Sequence, residues 1–139
     1  MSVCETSTSC SLTQRGLQYQ FGIGSLLHRE NTAVNERRVE EIYATLLELN
    51  RGAFADGEYE IACNLLLVAL RCGQRLKNVE YLRDIERLAE YESRFLDDHH
   101  PESEYSNKAA QARGDVGAFQ MAAQRARKLI RNIRGLQQR

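Results

Sequence analysis

Gly57-Glu58-Tyr59-Glu60-Ile61-Ala62-Cys63-Asn64-Leu65-Leu66-Leu67-Val68-Ala69-Leu70-Arg71-Cys72-Gly73 is the stretch whose reading decides the fold. It opens with a turn residue and two acids and then runs apolar from Ile61 to Leu70, broken only by Asn64. It closes on Arg71 and Gly73, a cation and a helix-stop residue. Such a run is too short to cross a membrane, which takes about 20 residues. It suits a helix covered on most sides by other helices. The expectation is the core helix of a small all-α domain.

The rest of the chain agrees with that class. At 139 residues it has room for about one domain. Its single proline, Pro101, leaves space for long uninterrupted helices. Leu, Ala, Glu, Arg and Gln dominate after residue 35, and all favour helix. The net charge is zero, but its distribution is uneven. Residues 77–107 carry nine acids and four bases, a balance of 4 − 9 = −5, and residues 108–139 carry eight bases and one acid, 8 − 1 = +7. Such a split fits an acidic segment docked on a basic one, or a basic segment reserved for a partner.

Before the apolar run, Val39, Ile42, Tyr43, Leu46, Leu49 and Ala53 recur at spacings of three and four. They predict a helix over about 35–54, with Asn31, Thr32 or Asn35 as its cap. Ala55-Asp56-Gly57 supplies turn chemistry, so the two helices should pack antiparallel. After the run, Asn78 can cap a third helix with the stripe Val79, Leu82, Ile85, Leu88, Phe95 and Leu96. Glu90 and Arg94 make a favourable i,i+4 pair on it. It should end near Asp97-Asp98-His99-His100, because Pro101 biases its predecessor away from helix. Residues 101–107 read as an exposed loop. The last helix should run from about Lys108 to Ile133 or beyond, its start weakened by Gly114 and Gly117. Its apolar residues fall within an arc of roughly 160°.

The hairpin around the turn resembles one tetratricopeptide repeat, over about residues 43–76. The resemblance rests on Leu46, Leu49, Ala53-Phe54, Gly57-Glu58-Tyr59, Ala62, Leu66 and Ala69-Leu70. Asn50 stands where that family has a small residue, and no proline follows the second helix. The resemblance implies an antiparallel helical hairpin of that shape. It covers one repeat, whereas the family stacks about three for stability.

The start of the chain is of another kind. Residues 1–14 are small and polar, and are expected to be flexible. Residues 15–34 read as an apolar arm and linker: Leu17, Tyr19, Phe21 and Ile23 alternate with polar or small residues. The arm is expected to lie over the helices or on a second copy, with a short helix at Ser25–His28. Gly22-Ile23-Gly24-Ser25 lacks the Lys-Ser/Thr of a phosphate loop. A single helical domain then spans 35–139.

The chain offers little to chemistry. Asp97-Asp98-His99-His100 has metal-ligand residue types without the His-x-x-x-His spacing of a strong site. Cys63 and Cys72 stand on the apolar helix, where a thiol stays neutral and inert. They are about 13 Å apart along it, too far for a disulfide. Free buried thiols suit a reducing, cytoplasmic setting. Cys4 and Cys10 have no histidine nearby, and the N-terminus has no secretory signal pattern.

The expected architecture is a small all-α bundle of four main helices, with Leu46, Leu49, Leu65, Leu66, Ala69, Leu82, Ile85, Phe119 and Ile130 in its core. No catalytic, cofactor-binding or metal-binding residue is expected. The candidate binding residues are Arg125, Arg127, Lys128, Arg131 and Arg134 on the basic face of the last helix. They imply a protein or peptide partner with an acidic surface, and a non-enzymatic interaction or adaptor role. A homodimer through leftover apolar surface is a further expectation. The alternative is a small regulator whose basic helix contacts nucleic acid or another acidic surface. Zero net charge and the lack of aromatics among the bases weigh against nucleic acid.

Overall fold

The computed structural model describes residues 25–138, and their side chains from residue 33. Residues 1–14 and the arm from Leu17 to Ile23 lie outside the described residues, as do Cys4 and Cys10. The chain divides into two compact units, 1–38 and 39–139, and the packing that follows is that of the second.

Five helices follow in order: α1 (Ser25–Ala55), α2 (Tyr59–Leu76), α3 (Val79–His99), α4 (Asn107–Ala112) and α5 (Ala118–Gln137). There is no strand among the described residues. The fold is a small all-α bundle with four main helices. The first of these begins earlier than the sequence predicts. Asn31, Thr32 and Asn35 lie inside α1 and do not cap it. No Gly or Pro falls between Ser25 and Gly52 to stop the helix, and a capping side chain permits a start without compelling one.

The turns explain themselves through three similar C-terminal motifs. At the end of α1, Glu58 N–H donates to Ala53 O at 2.9 Å and Gly57 N–H to Phe54 O at 3.1 Å. This 6→1 and 5→2 pair is a Schellman motif, and it needs a left-handed residue at its centre. Gly57 fills that place with φ +81°. After α2, Asn78 N–H reaches Gly73 O and Lys77 N–H reaches Gln74 O. Here the left-handed residue is Lys77, φ +51°, not a glycine. Gly73 is therefore not the helix stop. It is buried inside α2, and a Cβ there would lie 2.9 Å from Leu82 Cδ2, so its role is close packing of α3. Asn78 caps α3 as expected, its Oδ1 accepting from Tyr81 N–H at 3.1 Å.

The third motif splits what the sequence predicts as one last helix. Gly114, φ +77°, sits at its centre, with Asp115 N–H on Ala110 O and Gly114 N–H on Gln111 O. The chain stops at α4 and restarts at α5. The restart is tight: a Cβ on Gly117 would meet Asn107 Cα at 2.9 Å. The preceding loop is anchored as well as exposed. Ser106 is fully buried; its Oγ donates to Pro101 O at 2.7 Å and accepts from Ala109 N–H at 3.0 Å, capping α4.

The core sits where α3 and α5 pair most closely, with α2 across both. Leu66, Leu82, Ile85, Leu96 and Phe119 are fully buried within it. Ala62, Ala69, Ala89, Ala122, Ala123 and Ala126 are also fully buried, and their small side chains let the backbones approach. Phe54 brings α1 into this core, edge-on to both Phe95 and Phe119 at ring separations of 5.5 and 5.6 Å.

Of the expected core, Leu66, Ala69, Leu82, Ile85, Phe119 and Ile130 are buried, and Leu46 and Leu65 are half-buried. Leu49 is the exception, at 54% exposure, and Ile42 is exposed with it. The reason is the roll of α1 about its axis. Its buried stripe is Val39, Tyr43, Leu47 and Asn50. The Tyr43 ring stacks on Tyr81 at 4.0 Å, and its hydroxyl donates to Tyr81 O at 3.1 Å. Asn50 Nδ2 donates to Ala62 O at 2.8 Å. These anchors turn Ile42 and Leu49 outward.

Candidate functional site

The five basic residues singled out on the last helix have different fates in the fold. Arg127 lies across α3, its Nε 2.8 Å from Glu86 Oε1 and its Nη2 paired with Glu90 Oε1. These two carboxylates hold the guanidinium firmly in its charged form. Glu90 is thus bound to Arg127 and does not form the expected pair with Arg94. Here the acidic segment is docked on the basic one. Arg125, Lys128, Arg131 and Arg134 are exposed and enter no ion pair among the described residues.

Arg125 and Lys128 share a face of α5 with Leu129 and Asn132, and that face borders α2. Between the two helices runs an open groove of about 560 Å³. Leu67, Leu70 and Leu129 form its floor, and Arg71, Arg125 and Lys128 its rim. No acid lines it. Gln74, Leu129 and Asn132 carry it onward into a second hollow that ends at Ile133 and Leu136. From Arg125 to Leu136 the helix rises about 16 Å at 1.5 Å per residue. That is the length of three turns of a bound helix. Arg71 is the rim residue that sequence reasoning placed only as the end of an apolar helix. Its spacing on α2 could not show which helix would stand opposite.

A second concavity, of about 480 Å³, lies at the other end of α2. Phe54, Tyr59, Tyr91 and Phe95 wall it, with Arg51 and His100 at its edge and Glu92 at its base. Glu92 is 1% exposed. Its Oε1 accepts from Asn50 Nδ2 at 3.1 Å. Burial pushes its carboxyl up to about 8, against the opposing effects of Asn50 and Arg51. Both Asn50 amide protons are engaged, on Glu92 and on Ala62 O, and its Oδ1 is buried without a donor. Asn50 is the residue that departs from the tetratricopeptide pattern, and this bridge from α1 to α2 and α3 is what it does. Nothing in the sequence marked Glu92, because acids surround it on α3.

The thiols of Cys63 and Cys72 are free and buried, and burial raises both above the usual thiol value. Neither has the electropositive, open setting of a reactive cysteine. The Asp97-Asp98-His99-His100 cluster serves local structure. Asp97 Oδ1 accepts from Lys108 N–H at 2.9 Å, and the His99 ring stacks on Phe95 at 4.3 Å. His100 is 3.7 Å from Glu102 Oε1 at the surface. Among the described residues no three His, Cys, Asp or Glu side chains converge as a metal ion would require. No described helix is long and apolar enough to cross a membrane.

No family model, curated protein or solved structure matches the chain.

Proposed function

We propose that this chain is a non-enzymatic helical interaction module. It takes an acidic segment of another protein in the groove between α2 and α5. The observation that carries this reading is the pairing of an apolar floor with a rim of three cations and no acid. Such a surface suits an amphipathic helix with acids beside its apolar stripe. The cations would steer and orient the partner, and burial of the leucines would supply most of the affinity. Arg131 and Arg134 extend the positive field along α5, and Arg127 serves the fold through Glu86 and Glu90.

An adaptor of this kind, built on a tetratricopeptide-like hairpin, fits a cytoplasmic setting. The free thiols of Cys63 and Cys72 support a reducing compartment. The test is Arg125→Glu combined with Lys128→Glu, in proximity labelling and pull-down against the wild type. Both side chains are exposed, so the variant is expected to melt within a few degrees of wild type while losing one set of partners. An unchanged partner set would remove the groove reading. If mixed DNA or RNA binds the wild type at low salt, weakens steeply as salt rises and is lost in the variant, the nucleic-acid alternative takes its place.

A further inference from the structure

Four aromatic rings from three helices converge on the concavity at the start of α2. Phe54 comes from the end of α1, Tyr59 from the start of α2, and Tyr91 and Phe95 from one face of α3. Phe54 joins them: its ring lies 5.2 Å from Tyr59 and 5.5 Å from Phe95. Tyr91 extends the wall, 6.4 Å from Phe95, and is 57% exposed. His100 closes the far edge, 6.5 Å from Tyr59. Phe54, Tyr59 and Phe95 are each half-buried, so the fold leaves part of every ring uncovered. The volume of about 480 Å³ is that of a small-molecule site.

The base of this concavity is Glu92, and its setting is incomplete. Glu92 is 1% exposed, and its Oε1 accepts from Asn50 Nδ2. Its Oε2 accepts no hydrogen bond among the described residues, and no described cation pairs with the carboxylate. The one fully enclosed side-chain atom left without a partner is Asn50 Oδ1. Glu92 Oε2 is therefore not sealed in, and it meets the open space of the concavity that Glu92 lines. A buried carboxylate without a cation is costly, and a cation supplied from outside relieves that cost.

The other charged groups around Glu92 leave the choice of ligand to the base. Arg51 on α1 and Asp56 in the following turn are both exposed at the mouth and opposite in sign, and water screens each. His100 stands at the edge, and Cys63 on α2 is a buried free thiol close enough to feel Glu92. An anion at the base would meet the negative faces of the rings and a carboxyl group. A cation is attracted by both. An ammonium bearing hydrogen also supplies the donor that Oε2 lacks. An aryl or alkyl body then fills the apolar space between the rings and Leu88.

We propose that the concavity walled by Phe54, Tyr59, Tyr91 and Phe95 binds a small organic ammonium ion, whose N–H donates to Glu92 Oε2 and whose carbon body lies against the rings. Binding ionises Glu92. The free chain keeps its carboxyl proton up to about 8, and that proton leaves to solvent as the ammonium arrives. Affinity therefore rises about tenfold per pH unit toward that value and then levels. An alkyl ammonium stays charged throughout this range. The site lies apart from the groove between α2 and α5 and does not depend on what binds there.

The test is calorimetric titration of the full chain with phenethylamine, in buffers of different ionisation enthalpy between pH 6 and pH 8. Phenethyl alcohol is the uncharged control. The amine is expected to bind with release of about one proton at pH 6, and the alcohol about tenfold or more weakly. Glu92→Gln keeps an acceptor for Asn50. It is expected to keep its helical spectrum, to weaken the amine about tenfold or more at pH 8, and to flatten the pH profile. Tyr91→Ala, at an exposed position, should weaken the amine about threefold or more. His100→Gln should leave the profile as it is. No binding of phenethylamine at pH 8, or equal binding of amine and alcohol, overturns the site. A profile that persists in Glu92→Gln and flattens in His100→Gln overturns Glu92 as its anchor. Arg125→Glu with Lys128→Glu should bind the amine as wild type does, so this site and the groove reading stand or fall separately.

Discussion

Glu92 is held out of water with one amide hydrogen bond and no paired cation, and this has a thermodynamic consequence. Its folded value of about 8 stands above the ordinary 4.5. Between those two values the folded chain keeps a proton that the unfolded chain releases. Glu92's contribution to stability is therefore fullest below about 4.5, falls as pH rises toward about 8, and is level above that. Each unit crossed costs about 1.4 kcal/mol, so about 3 kcal/mol is lost by neutral pH. Glu92→Gln keeps an acceptor for Asn50 and carries no charge. It is expected to raise the urea midpoint at pH 8, to leave it nearly unchanged at pH 4.5, and to flatten the profile between. A variant whose midpoint still falls across that range would show that another group sets the slope. This residue also shows what the sequence hides. On α3 Glu92 is one acid among several, and only the approach of Asn50 from α1 singles it out.

At the scale of elements, the helices are bounded by three Schellman motifs, two of them on glycines. Lys77 holds the third in the left-handed region, where an L side chain costs roughly 1–2 kcal/mol. Lys77→Gly is expected to stabilise by about 1 kcal/mol, less the entropy that glycine adds to the unfolded chain. Thermal melts compare the two, and a lower melting temperature in the variant would mean that the lysine side chain makes a compensating contact. The all-α class and the four main helices were legible because the apolar spacings are regular and Pro101 stands alone. Helix ends were less so. Gly73 looked like a stop and is a packing site, because nothing local says that Leu82 will come to lie against it. Gly114 looked like a weak place in a helix and is a break. Its left-handed turn is held by Asp115 N–H on Ala110 O, and it leaves Gly117 free to pass close to Asn107.

For the whole molecule, the uneven charge of the sequence resolves into two roles on one helix. Arg127 ties α5 to α3 through Glu86 and Glu90, and its exposed neighbours face solvent and the groove. Arg127→Glu would set a third carboxylate between two others. It is expected to cost roughly 1–2 kcal/mol, an amount tempered by partial exposure. Arg131→Glu should stay within about 0.5 kcal/mol of wild type. Denaturant unfolding at low and high salt separates them: the Arg127 deficit should shrink as salt screens the repulsion, and equal midpoints for the two variants would contradict the assignment. The basic face was legible from composition and period. Its division was not, because that depends on which turn of α3 packs beside Arg127.

The run from Gly57 to Gly73 determined by itself that the chain is all-α and that one helix is buried on most sides. Hydrophobic period and turn chemistry are local, and they need no knowledge of the partner helices. The tertiary structure decided the roll of α1, and with it the exposure of Ile42 and Leu49. It decided the burial of Asn50 and Glu92 and the opening of the groove between α2 and α5. Those outcomes depend on which ridges of one helix settle into which grooves of the next. A sequence read one helix at a time carries no record of that choice.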